Sequence, residues 1–201
     1  MSEQSSFSSL RDPQTIVAVG VTIISLCALF VSLQQTRIMK EERELIREYS
    51  RASVWPRLEM GVNKGHNSDG SIKKLVITLG NSGVGPAIIT DVRVAHKDQT
   101  ATDWWDLFNV QEIPDSIDTN ISNSSFNGRI VKIDETIEII NLNGNPSLGQ
   151  AFFERLGDFS IEVYYESIYG EKWKYEVKNL DDSTVKLEDF AGLPEEDQFN
   201  N

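Results

Sequence analysis

One cysteine in 201 residues leaves no intramolecular disulfide to be made. That residue, Cys27, lies inside an apolar run, and a thiol that stays unpaired suits a reducing compartment. Histidine is almost as scarce. His66 falls in a predicted turn and His96 at the end of a predicted strand. Neither has the cysteine or histidine spacing of a zinc site, so no metal is expected. Basic residues are outnumbered 19 to 31, for a formal net charge of −12. From Leu58 onward the imbalance is 12 against 25, whereas Gln34 to Arg57 is slightly basic at 6 against 4. An acidic domain is repelled by phosphate backbones, so nucleic acid is not an expected partner.

Motifs that carry chemistry are missing too. The glycine loop Gly80–Pro86 has Pro86 where a phosphate loop needs lysine and a backbone N–H. A dinucleotide fingerprint from Gly83 would need a small residue in place of Ile88. A nucleophile elbow from Gly80 would need glycine in place of Val84. The expectation is structural: glycines supplying positive φ at a tight connection, with Asn81 bonding its own turn. Asn67 to Gly70 has calcium-loop composition but lacks the downstream glutamate. Two Asn-x-Ser triplets, at Asn120 and Asn123, are of a kind common in Ser/Asn-rich loops and carry no weight. Neither a cofactor nor a catalytic set is expected.

A long uncharged run is present. Thr15 to Leu33 has no charged residue and spans about 28 Å as a helix, the thickness of a hydrocarbon core. A signal peptide would show a basic leader and a small-residue cleavage site. This run has neither, and the reading is a single transmembrane helix. Only Arg11 precedes it within range, whereas Arg37, Lys40, Arg43, Arg47 and Arg51 follow. That asymmetry predicts a C-terminal domain in the cytoplasm of a bacterial plasma membrane. Ala18, Ser25 and Ser32 recur every seventh position, with Thr22 near the same face, as a candidate helix-packing seam.

Residues 34–54 read as a helical continuation. Ile38, Met39, Leu45, Ile46 and Tyr49 make one apolar face, and the arginines and Lys40 gather opposite. The face could meet the following domain, a sister chain or the membrane surface. Trp55-Pro56 ends the helix.

From Leu58 the hydrophobic period drops to two. Stretches around 58–62, 73–79, 87–94, 129–140, 159–165 and 172–177 alternate between turn signals, and Tyr169-Gly170-Glu171 reads as a hairpin tip. Two short helices are predicted, one at Asp103–Val110 with Trp104, Trp105 and Phe108, one starting at Asn145-Pro146. The expected fold is mainly β, a sandwich preceded by the long N-terminal helix. The expected layout is a short extracytoplasmic segment 1–14, the membrane helix 15–33, the amphipathic helix 34–54, the β domain 55–180 and an acidic, partly disordered tail 181–201. Ile113 to Gly128 reads as a mobile loop; Val185, Leu187, Phe190 and Leu193 could dock the tail to the domain, and disorder is expected from Pro194.

Taken in order, SVWPRLEM, ITLGNSGVGPAIITDVRV, WWDLF, GRIVKIDETIEII and IEVYYESIYGEKW form a recognisable series. It resembles an uncharacterised group of bacterial single-pass membrane-anchored proteins sharing WPxL, NxGxGPA and YxSIYGExW motifs. The Asn-x-Gly-x-Gly loop between strands also resembles bacterial immunoglobulin-like adhesion modules. The resemblance implies membrane topology and an immunoglobulin-like fold. Three functions follow as expectations. The first is a membrane-tethered binding module, with the bilayer and a protein as partners and Trp104, Trp105 and Tyr169 as candidate contact residues. The second is an oligomeric membrane effector or sensor whose β domain clusters or gates the helices through the Ala18/Thr22/Ser25/Ser32 face. The third is a hydrolase, which no motif supports.

Overall fold

The structure, a computed structural model, describes residues 13–178 and 181–200. All but two residues of the expected extracytoplasmic segment 1–14, and the expected domain boundary at 180, lie outside them. The chain divides into two compact units, one up to Ser50 and one from Arg51 onward.

The first unit is helix α1, Pro13–Ala52. Forty residues at 1.5 Å per residue give about 60 Å. An 18-residue window within it has a mean hydropathy of 2.7, and none of that window is buried. A core helix of that hydropathy would be covered by its own chain; here Ile16, Ile24, Leu29 and Phe30 are all exposed. By length and composition α1 is a candidate membrane span. Three of its hydroxyls are satisfied within the helix. Thr22, Ser25 and Thr36 each donate to the carbonyl four residues back, at 2.8–2.9 Å, so none needs water.

The second unit is two antiparallel sheets facing one another. The first runs in the order β1 (Leu58–His66), β2 (Ile72–Asn81), β7 (Thr136–Asn141), β5 (Ser122–Asn123). The second runs β10 (Asp181–Leu187), β9 (Lys172–Lys178), β8 (Phe159–Glu166), β3 (Ala87–His96), β4 (Gln99–Ala101), and β6 (Ile130–Val131) pairs the first residues of β3. Period-two alternation aims Phe159, Ile161, Val163 and Tyr165 of β8, and Trp173, Tyr175 and Val177 of β9, into one core with Leu75, Ile77 and Leu79 of β2. Met60 N–H donates to Tyr175 Oη at 2.7 Å and ties the two sheets across that core.

Helix α2 (Trp104–Val110) starts at Asp103, whose side chain accepts from Asp106 N–H at 2.8 Å. Helix α3 (Pro146–Glu154) starts at Asn145, whose side chain accepts from Leu148 N–H at 3.1 Å, with Pro146 in the first turn. Leu148 and Phe152 fill the core from α3.

Two expectations fail. The stretch 113–128 is not a free loop: Ile113 and Phe126 are buried, Ile117 and Ile121 pack on the core, and Ser122–Asn123 pairs with β7. The C-terminus is not disordered after Pro194 either. Ahead of Pro194, Asp181–Leu187 forms the edge strand β10 and the Phe190 ring stacks on Tyr164 at 4.2 Å, a docking of the kind expected there. Phe199, 0 % exposed, sits between Trp104 (5.0 Å, edge-on) and Phe126 (5.9 Å, stacked). The peptide anchors it as well, because Phe199 N–H donates to Val92 O at 2.8 Å and Asn200 N–H to Thr102 O at 2.7 Å. One aromatic side chain, fully buried between two others, outweighs the polar sequence around it.

Candidate functional site

The glycine loop between β2 and β3 closes around the segment that enters the domain from α1. Asn81 is buried, and its side chain uses both ends. Its Oδ1 accepts from Arg57 N–H (3.1 Å) and Gly83 N–H (3.0 Å), while its Nδ2 donates to Gly85 O (2.8 Å) and Val131 O (3.0 Å). Ser82 N–H donates to Arg57 O and Val84 N–H to Trp55 O. The glycines serve a different purpose from the one expected: neither Gly83 nor Gly85 adopts positive φ. A Cβ on Gly83 would lie 2.3 Å from Arg57 N, and one on Gly85 2.5 Å from Val54 Cγ1. They are glycine because residues 54–57 pass directly against them. The Asn-x-Gly-x-Gly-Pro signature is thus a clasp on the chain rather than a ligand cradle.

The same end of the domain gathers four loops, 53–57, 82–86, 132–135 and 167–171. Register places them together: Leu58 lies opposite Asn81, Thr136 opposite Gly80, and Ile88 opposite both Ile130 and Glu166. From these loops and the start of β6, Trp55, Val84, Ile130, Ile133, Ile168 and Tyr169 present exposed apolar side chains. Tyr169, 39 % exposed, tops the β8–β9 turn. There Gly170 takes φ +76° and the buried Ser167 Oγ accepts from Tyr169 N–H at 3.2 Å. Ion pairs border the apolar side chains: Arg57–Glu59 and Arg129–Glu135, both 3.3 Å, and Lys186–Glu171, 2.7 Å. Lys132 N–H, and then the Arg129 guanidinium, hold the Glu135 carboxyl below its ordinary range. An apolar centre with a satisfied, charged margin is the anatomy of a protein contact surface.

The two tryptophans part company. Trp104 is 0 % exposed and belongs to the core, so it is no contact residue; Trp105 is 51 % exposed. Adjacent positions on a helix point about 100° apart, and burying one exposes the other. Trp105 does not join Tyr169, since α2 packs on β3 and β4, at the opposite end of β3 from the β8–β9 turn. The sequence missed Ile130, Ile133, Ile168, Val84 and Trp55, because their convergence depends on strand register.

At the other end of the domain lies a polar cleft of about 480 Å³ between the β3–β4 turn and the C-terminal ends of α2 and α3. His96, Gln111 and Arg155 line it. Arg155 is committed to the fold, with Nε donating to Gln111 O (2.7 Å) and Nη1 to Ala151 O (2.8 Å). His96 and Gln111 are buried, and His96 Nδ1 and both Gln111 amide atoms have no protein partner. Lys97, Glu112, Glu154 and Asp158 also line it, so the cleft offers hydrogen bonds, charges of both signs and proton acceptors. Among the described residues no group of three or more His, Cys, Asp or Glu could hold a metal ion. His66 is exposed at the end of β1, and Asp69 closes its own turn by accepting from Ser71 N–H (2.9 Å) and Oγ (2.6 Å).

Burial, reinforced by Lys97 and Arg155 and opposed by Asp158 and Glu112, pushes the His96 pKa below its ordinary 6.5. The unfolded chain therefore binds this proton more readily than the folded one. Stability is complete above about pH 6.5 and is lost as pH falls toward the folded-state value. Chemical denaturation between about pH 7 and pH 5 should show that loss, and His96→Gln should flatten it.

No family model, curated protein or solved structure matches the chain. The resemblance to membrane-anchored proteins rests on its own motifs.

Proposed function

We propose that the chain is a single-pass, membrane-tethered binding module of a bacterial plasma membrane. Its immunoglobulin-like domain faces the cytoplasm and engages a protein through the apolar loop surface. The observation that carries this reading is the convergence of Trp55, Val84, Ile130, Ile133, Ile168 and Tyr169 from separate loops at one end of the domain. Isolated exposed apolar residues are ordinary; a cluster bordered by paired charges is what protein contacts bury. The uncharged length of α1 supports the tether, and the five cationic residues that follow it support the cytoplasmic side. The WPxL, NxGxGPA and YxSIYGExW series supports kinship with the membrane-anchored group.

Site-specific photocrosslinking in cells tests the contact. A crosslinker at Tyr169 should give one discrete adduct, and Ile168→Asp with Ile133→Asp should abolish it while the domain keeps its unfolding midpoint. A crosslinker at exposed Lys73 should give none. Equal labelling from Tyr169 and Lys73, or an adduct indifferent to the aspartates, would refute the contact surface.

A further inference from the structure

Beyond its most apolar stretch, α1 continues into a two-faced helix. Ile38, Met39, Leu45, Ile46 and Tyr49 form one stripe, each at least 52 % exposed. The two edges of the stripe differ in sign. At about 100° per residue, Glu41 and Glu48 border one side and Arg43 and Arg47 the other. We propose that this stripe is the contact between two copies of the chain, paired in parallel.

Symmetry makes the charge pattern informative. In a parallel pair related by a two-fold axis along the helices, each acidic edge faces the basic edge of the other copy. In an antiparallel pair, Glu41 and Glu48 would meet their own counterparts, as would Arg43 and Arg47. Edge charges of this kind set the orientation of helix pairs. An acidic edge beside the apolar stripe is also wrong for a helix lying on anionic lipid, where cations should flank the apolar face on both sides. The membrane reading above, on which the parallel sense partly rests, adds a second constraint: chains inserted with one topology can meet only side by side.

Glu42 lies within the stripe. Pairing brings the two Glu42 side chains together, which costs affinity and fixes the register, the known effect of one polar residue in such a seam. The pair is weak by construction and responsive to whatever neutralises that position.

The experiment uses the full chain in neutral-lipid vesicles, with pairing read by energy transfer between differently labelled copies and by mass in detergent. The wild type should be a dimer. Glu41→Arg with Glu48→Arg, and separately Arg43→Glu with Arg47→Glu, should each weaken self-pairing by about tenfold. Mixing the two variants should restore pairing between unlike chains. Glu42→Leu should tighten the dimer by about tenfold. A monomeric mass at every concentration overturns the proposal, whether the stripe then proves covered by lipid or by its own domain. So does a dimer whose strength ignores the edge charges, or unlike variants that do not prefer each other. Should the chain remain in the aqueous phase, the membrane reading fails on its own, and the same mixing measurement in buffer still decides the pairing.

Discussion

Asn81→Ala is expected to lose on the order of 3–5 kcal/mol of stability, most of what a domain of this size possesses. Four partners are stranded at once: the N–H groups of Arg57 and Gly83 and the carbonyls of Gly85 and Val131. Asn81 is itself 2 % exposed, so water cannot readily replace the amide, and each buried group left without a partner costs about 1–3 kcal/mol. Asn81→Asp separates the two halves of the effect. It keeps an acceptor for the two N–H groups but turns the donor into a carboxylate facing two carbonyls, and it should be no better than alanine. Gly83→Ala attacks the clasp sterically, because its Cβ would meet backbone atoms of residues 55–57, which cannot rotate away. Urea unfolding followed by tryptophan fluorescence measures all three. A loss below about 1 kcal/mol for Asn81→Ala would mean that the clasp is not a structural centre.

The second large effect is at the C-terminus. Phe199→Ala should cost about 3–5 kcal/mol, the range for emptying a buried phenylalanine site, and truncation after Leu193 should cost at least as much. The ring fills the space between Trp104 and Phe126. Its loss also removes cover from Trp104, the largest fully buried side chain. Near-ultraviolet dichroism should report the changed tryptophan environment, and the urea midpoint should fall. A truncated chain with the wild-type midpoint would show that the tail is an ornament of the fold.

That tail also marks where sequence reading stops. Strands β8 and β9 are legible because buried side chains alternate with half-exposed ones, as in Phe159, Ile161, Val163 and Tyr165. By contrast, β1 buries only Leu58, and β2 and β3 bury consecutive residues, so apolar runs between turn signals mark them instead. β10 has no such signature. Asp181 to Lys186 are all exposed on an edge, where charge is useful and a buried face is absent. Phe199 is one aromatic in a run of acidic and amide residues, a composition that resembles disorder until the pocket is known. The Trp104–Trp105 pair was half legible: helical geometry required the two to diverge but could not say which one turned inward. In the glycine loop, Asn81 bonds its own turn as its local chemistry implies, but the glycines answer to the close passage of residues 54–57, a long-range fact that local turn chemistry does not contain. The apolar loop surface was glimpsed only at Tyr169, because its other members are distant in sequence and converge through register alone. His96 and Gln111 likewise meet at the cleft only after β3, α2 and α3 are placed.

The tether is the premise behind both the proposed binding role and the parallel sense of pairing, and one fractionation decides it. Intact cells expressing the full chain with a C-terminal tag are treated with external protease, then broken, and their membranes are washed with alkaline carbonate. The account predicts a tag untouched by the protease and a chain that leaves the pellet only with detergent. A chain released by carbonate alone, or a tag digested from outside, would contradict it.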